Sequence, residues 1–219
     1  MGEIGLYEAM SSCRAVRRQR PDPIPDEVVR RLIEAATWAP TGANSQPWRV
    51  IAVRDAETKQ RLQELYLGPW NAYEKNARQA FEGLGPEALA SQERVLAAAT
   101  HLAKQMHRSP VIFVFCFNPE RMAITDAEQP RPSVVGGGSV YPAVQNLLLA
   151  ARAEGLGCVL TTLLCMREPE VRALLEIPEP WATCAFVPVG IPASRGHGPL
   201  SRRPPEKMAF LDRWGAPLF

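Results

Sequence analysis

The longest unbroken apolar run in this chain is Val111 to Phe117, which is far short of the roughly 20 residues a membrane-spanning helix needs. The opening residues contain no basic segment followed by an apolar one, and Leu6 stands where a myristoylation signal would want Ser or Thr, so neither a leader nor a lipid anchor is expected. Excess charge is also missing. The 25 Lys+Arg residues nearly balance the 23 Asp+Glu residues, and a net charge of +2 argues against a protein built to coat a nucleic acid or an acidic membrane. The expectation is a soluble, cytoplasmic protein with no nucleic-acid or membrane partner. The five cysteines are an odd number, none forms a Cys-x-x-Cys pair, and no His/Cys cluster has zinc-like spacing. No disulfide framework and no metal are therefore expected, and Cys116, Cys158 and Cys184 read as small buried hydrophobes inside apolar runs. Gly-x-Gly-x-x-Gly, Gly-Lys-Ser/Thr and Gly-x-Ser-x-Gly are all absent, which removes the common nucleotide-loop and hydrolase signatures.

What is present suits one domain spanning residues 1–219, with 46% hydrophobic residues to build a core. Its 21 prolines stiffen many connections, and only four of its 25 basic residues are lysine. A helix is expected from Ile24-Pro25-Asp26-Glu27 to Trp38, with Val28, Leu32 and Ala36 on its buried face. Trp48 to Val53 reads as a strand, and Asp55 to Tyr66 as a short helix capped by Asp55. Breakers at Gly68-Pro69, Gly83 and Gly85-Pro86 suggest a loop with a partial helix from Leu67 to Pro86. Ala88 to His107 is helical, with Val95, Ala99, Leu102 and Met106 in register, and Val111 to Phe117 is the candidate central strand. Pro119 to Val135 is irregular. A helix follows to Glu154 with Ser139 as its expected N-cap, and Gly155-Leu156-Gly157 ends it. Cys158 to Thr162 and Thr183 to Gly190 read as strands, separated by a short helix from Arg167 to Leu175. The elements do not alternate as a clean βαβ series, so the expected class is α+β, a mixed and mainly antiparallel sheet flanked by long helices. The tail from Pro192 to Phe219 has little core of its own, which suggests packing on a partner subunit.

Four arginines fall within Arg14 to Arg20, just before a helix, where they could hold a phosphate or form a solvated basic face. Arg202-Arg203 could supply a second clamp or an exposed pair. Gly136-Gly137-Gly138-Ser139 is either an anion-binding helix entry or, more simply, a flexible loop leading into a capped helix. His101 and His107 stand six residues apart on one helix, the wrong spacing for joint metal ligation. The most specific stretch runs from Ala39 to Arg49. It is dense in turn formers, and its hydroxyls and amides could read the polar edge of a planar heterocycle while Trp48 anchors it in the core.

Four pieces of the chain, in order, resemble the FMN-dependent nitroreductase family. They are Arg14 to Arg20 followed by Pro21-Asp22-Pro23-Ile24-Pro25, the Ala39-to-Trp48 loop, the helix from Tyr141 to Arg152 with Gly155-Leu156-Gly157, and the late Phe186 to Pro192 with basic residues after it. The resemblance implies an α+β homodimer with two FMN sites, each built from both subunits. It places phosphate and ribityl contacts at Arg14, Ala15, Arg17 and Arg18, and a loop from the other subunit at Pro40, Thr41, Gly42 and Asn44. It sets Leu160, Thr161, Thr162 and Leu163 beside the isoalloxazine ring and closes Arg202 and Arg203 on the phosphate. Cys13-Arg14-Ala15 departs from the family's frequent Arg-Arg-Ser opening.

On this resemblance the chemistry is carried by FMN N5, with no catalytic side chain and no metal. Hydride would arrive from NADPH or NADH and leave, in a ping-pong cycle, to a small planar acceptor such as a nitroaromatic or a quinone. The alternatives are a specialised flavoenzyme of the same fold (a reductive dehalogenase, a flavin-fragmenting enzyme or a peptide desaturase) and a non-catalytic flavin-binding protein. A lid formed within Leu67 to Val135 would decide among the specialised activities.

Overall fold

Because Val111–Phe117 is apolar at every position, it can be buried on both faces, and the fold is organised around it. In the computed structural model, which describes residues 4–219, this strand (β3) lies between β2 (Trp48–Val53) and β5 (Ala182–Pro192), antiparallel to both. The opening residues read for a leader signal lie partly outside the described residues. Two short strands, β1 (Gln19–Arg20) and β4 (Gly157–Cys158), share the free edge of β5. All the strand ladders are antiparallel, as expected for the α+β class.

Side chains alternate across β3. Val111, Phe113 and Phe115 face one layer, built from α2 (Asp26–Thr37) and α5 (Tyr141–Ala153). Ile112, Val114 and Cys116 face the other, built from α3 (Ala56–Gln79) and α4 (Pro86–Gln105). The sheet is thus covered on both sides, with α1 (Leu6–Ser12) and α6 (Glu168–Leu174) at the periphery.

Four details differ from the sequence reading. Helix α3 does not stop at Tyr66 but runs through Gly68-Pro69 to Gln79. Tyr66, Pro69 and Trp70 recur at helical spacing and are all buried, so packing of that face outweighs the backbone hydrogen bond that Pro69 cannot make. Leu32 and Ala36 in α2 and Leu102 and Met106 on the α4 side are buried as read, but Val29 is buried in place of Val28 and Leu96 in place of Val95, which is exposed. Ser139 does not cap α5; its hydroxyl accepts from the Gly42 amide at 3.1 Å, and the helix begins at Tyr141 with Pro142 in its first turn. Beyond Cys158 the chain continues as a single bridge, Thr161 to Phe186, rather than a full strand.

The irregular stretch between β3 and α5 is ordered by one buried carboxylate. Asp126 accepts from Arg131 Nη1 at 2.6 Å, from Ser133 Oγ at 2.6 Å and from the Val134 amide at 3.1 Å. These hydrogen bonds, the hydroxyl first, hold its pKa well below the usual carboxylate range. A lowered folded-state pKa stabilises the fold above the unfolded value of about 3.9, and that contribution is lost as pH falls through the folded pKa. Asp126→Asn should therefore lower stability by a constant amount from pH 7 down to about pH 4, and the gap should close in stronger acid. Urea denaturation across this range checks it, and a gap that widens toward acid would contradict it.

Candidate functional site

The basic segment is laid along the sheet edge by two glycines that oppose one another, Gly157 on β4 and Gly190 on β5. A Cβ on Gly157 would stand 2.4 Å from Val16 Cγ1, and one on Gly190 would stand 2.9 Å from Gln19 Cβ. Only glycine lets the segment approach this closely. Once there it is pinned: the Val16 amide donates to the Cys158 carbonyl at 2.9 Å, and the Ala193 amide to the Arg18 carbonyl at 2.9 Å. Gln19 Nε2 reaches the carbonyls of Val16, Gly157 and Pro188, each at 3.1 Å.

This docking places Arg17 at the junction of two hollows. One, about 310 Å³, is lined by Arg14, Ala15, Arg17, Arg18, Arg195 and His197, with no carboxylate in its wall. Among the described residues, none of these four arginines forms an ion pair. The other is a cleft of about 420 Å³ between α3, α4 and the chain after β4. Its wall is mainly apolar and aromatic, with Trp70, Tyr73, Phe81, Leu96, Leu160 and Leu163, and it carries a few polar groups from Arg17, Gln92, Thr161 and Thr162. Tyr66 and Trp70 lie nearly parallel, with ring centroids 6.4 Å apart and planes inclined by 9°.

Burial lowers the Arg17 pKa, while the nearby Tyr66 and Tyr73 hydroxyls act in the opposite direction; the guanidinium remains charged. Burial raises the pKa of Tyr66, whose phenol shares a 3.0 Å hydrogen bond with Thr161 Oγ1. Burial and Arg18 together lower the pKa of His101, whose Nδ1 lies 3.0 Å from Arg18 Nη1 and so must accept. His197 Nε2 faces the Leu156 carbonyl at 3.0 Å and therefore carries the proton, and its Nδ1 is buried without a partner.

Of the residues singled out in the sequence, Arg14, Ala15, Arg17 and Arg18 come together around the smaller hollow, and Leu160, Thr161, Thr162 and Leu163 line the cleft. Pro40, Thr41, Gly42 and Asn44 line neither. Their loop is exposed at its tip and holds Ala43 and Asn44 at positive φ, 50° and 53°. It is tied down by Ser139 and by Thr41 Oγ1, which accepts from the Gln46 amide at 3.1 Å. Arg202 and Arg203 are likewise exposed and line neither hollow. Sequence reasoning missed Arg195, the first basic residue after β5, together with His197. It also missed the Trp70, Tyr73 and Phe81 wall, whose helical spacing from Tyr66 onward was legible across the proline. Among the described residues, no three His, Cys, Asp or Glu side chains gather as a metal would require. No described helix is long and apolar enough to cross a membrane.

Comparison with known proteins places this chain in a family. The Nitroreductase family profile matches residues 11–191. A curated NADH dehydrogenase of Thermus thermophilus is 32% identical over 197 residues, covering 90% of this chain and 91% of the relative. A 5,6-dimethylbenzimidazole synthase of Rhodobacter capsulatus is 32% identical over 201 residues, covering 90% and 88%. The crystal structure of a nitroreductase with bound FMN from Desulfitobacterium hafniense superposes with a TM-score of 0.68 at 20% identity, covering 97% of this chain and all of that one, and so shares its fold. The chain belongs to the nitroreductase family.

The half-buried Tyr66–Thr161 bond ties α3 to the floor of the cleft. Tyr66→Phe should cost about 0.5–1.5 kcal/mol of folding stability in urea denaturation. A stability equal to that of the unsubstituted protein would mean that this hydroxyl pair does not join the two walls.

Proposed function

We propose that this chain is an FMN-dependent oxidoreductase that takes hydride from NADPH or NADH and passes it to flat, electron-poor acceptors such as nitroaromatics or quinones. One observation carries the reading: a cationic hollow and an apolar, aromatic-walled cleft of contrasting character meet at a single residue, Arg17. FMN has the matching division, a dianionic phosphate joined through a polar chain to a flat tricyclic ring. The donor set fits the phosphate end, because Arg14, Arg17, Arg18 and Arg195 present guanidinium forks that no carboxylate in the wall neutralises.

When bound, FMN supplies the hydride-accepting and hydride-donating centre that no side chain here provides. This chain's residues do the rest. The arginines fix the phosphate and so set how deep the ring sits. Leu160 and Leu163 offer an apolar surface to the ring, and Thr161 and Thr162 offer hydroxyls to its polar edge. Tyr66, Trp70 and Tyr73 keep water from the cleft, which favours hydride transfer over side reactions. No general base or nucleophile is required of a side chain in this reading.

The same reading accounts for the loop that lines neither hollow. In a homodimer, Pro40, Thr41, Gly42 and Asn44 would reach the ring bound by a second copy. The exposed apolar side chains outside the cleft support association. Tyr7 on α1 is 85% exposed, and in the tail Trp214 and Phe219 are 91% and 76% exposed. Arg202 and Arg203, which form no ion pair among the described residues, belong to that tail and would approach the phosphate as it wraps the partner. The name of one relative, an NADH dehydrogenase, supports a nicotinamide donor, and the FMN bound in a nitroreductase of the same fold supports the cofactor, while the name of the other, a synthase, indicates a different reaction.

The purified protein, loaded with FMN, should show the oxidised flavin absorption band and lose it on mixing with NADPH or NADH under nitrogen. Arg17→Ala should weaken FMN binding by about 1.5–3 kcal/mol, roughly ten- to a hundred-fold in Kd, as measured by fluorescence titration. A protein that takes up no FMN, or an Arg17→Ala variant with unchanged affinity, would contradict the assignment.

A further inference from the structure

The groups that the proposed chemistry leaves unused are the five thiols. Burial raises the pKa of three of them, Cys116 to about 11, with Cys165 and Cys184 also above the ordinary thiol value, so they remain protonated. Cys13 and Cys158 behave differently. Far apart in sequence, they meet beside α5, where Cys13 Sγ lies 3.6 Å and Cys158 Sγ 3.7 Å from one and the same carbonyl oxygen, that of Leu148. The backbone holds them there, because Ala15 bridges Cys158 and the Val16 amide donates to the Cys158 carbonyl. Hydrogen bonding from the Cys158 thiol outweighs burial and, with help from Arg152, brings Cys13 down to about 7. The same interaction and full burial keep Cys158 well above the usual value.

The pair is therefore asymmetric in access as well as charge. Cys13 follows α1 at a half-exposed position, whereas Cys158 is only 2% exposed. An accessible thiol backed by a shielded one is the arrangement that peroxide-sensing cysteines use.

We propose that Cys13 and Cys158 close into a reversible disulfide when the protein meets a hydroperoxide, locking the end of α1 onto β4 directly beside the arginine-lined hollow. The Cys13 thiolate attacks the terminal peroxide oxygen. The O–O bond breaks, an S–OH group forms, and the departing alkoxide takes up the thiol proton as alcohol. Cys158 sulfur then attacks Cys13 sulfur, forming the S–S bond as the S–O bond breaks and hydroxide leaves with the second thiol proton as water. The two thiols lose two electrons and two protons, and the hydroperoxide becomes alcohol and water. A dithiol reductant reverses the linkage by exchange. The pairing stands on the sulfur geometry, with exposure and charge assigning the two roles, and does not depend on which cofactor the cleft holds.

The test uses the full chain, reduced and desalted, exposed to tert-butyl hydroperoxide and then alkylated. Peptide mapping without reductant should find the Cys13 peptide joined to the Cys158 peptide, with two of the five thiols lost. Dithiothreitol should restore both. Cys158 and Cys165 lie on the same tryptic peptide, so the map is repeated with Cys165→Ala, in which the linkage should persist. Cys13 should be consumed at least about tenfold faster than Cys116, Cys165 or Cys184, as its greater thiolate fraction requires. In Cys158→Ser the Cys13 sulfenic acid should survive long enough to be trapped by dimedone. The proposal is overturned if both thiols remain alkylatable, if Cys13 links instead to Cys13 of another copy, or if the linkage is lost in Cys165→Ala.

Discussion

The site depends on a close approach between two pieces of backbone. Gly157 and Gly190 stand opposite each other on neighbouring strands, and the absence of side chains there leaves a flat step on which Val16 and Gln19 rest. A methyl group at Gly157 would overlap Val16, so the approach is steric before it is energetic. Once made, it is secured by the Gln19 amide and by backbone hydrogen bonds on either side. Val16 is buried by the contact, and its arginine neighbours are turned toward the two hollows. Cys13 meets Cys158 as a consequence of the same docking.

The second requirement is a wall for the cleft, which comes from the unexpected length of α3. Had the helix ended before Gly68-Pro69, Trp70, Tyr73 and Phe81 would not be arrayed over the chain after β4. Continuing through a proline sacrifices a backbone hydrogen bond, but it buries Pro69 and Trp70 against the layer that also packs Ile112 and Val114. The core and the cleft share this face. Tyr66 makes the link explicit, with its ring in the core and its hydroxyl on Thr161 at the cleft floor.

Much of this was legible in the amino-acid sequence where one local rule dominates. The continuous apolar run at Val111 reads as a central strand covered on both faces, and Trp48 to Val53 shows strand-forming side chains bounded by turn residues. The family resemblance picked out Arg14 to Arg18 and Leu160 to Leu163, and the fold brings those two segments to adjoining hollows. Legibility failed where local and long-range forces compete. Gly68-Pro69 signals a break that packing overrides, and Ser139 has the chemistry of a cap but is claimed by the Gly42 amide. Arg195 was missed because the resemblance was matched to the adjacent Arg202-Arg203 pair, whereas the turn after β5 decides which late arginine returns to the hollow. The meeting of Cys13 with Cys158 leaves no local trace at all, since it depends on the edge pairing of Ala15.

The most direct measurement is on Gly157→Ala, which obstructs the docking without touching any group that would hold the cofactor. Hydrogen exchange should show residues 14–20 losing protection while β3 and β5 keep theirs, and FMN titration of the same sample should show affinity reduced at least about tenfold. Unchanged FMN affinity, with residues 14–20 as protected as before, would contradict the claim that this glycine step builds the site.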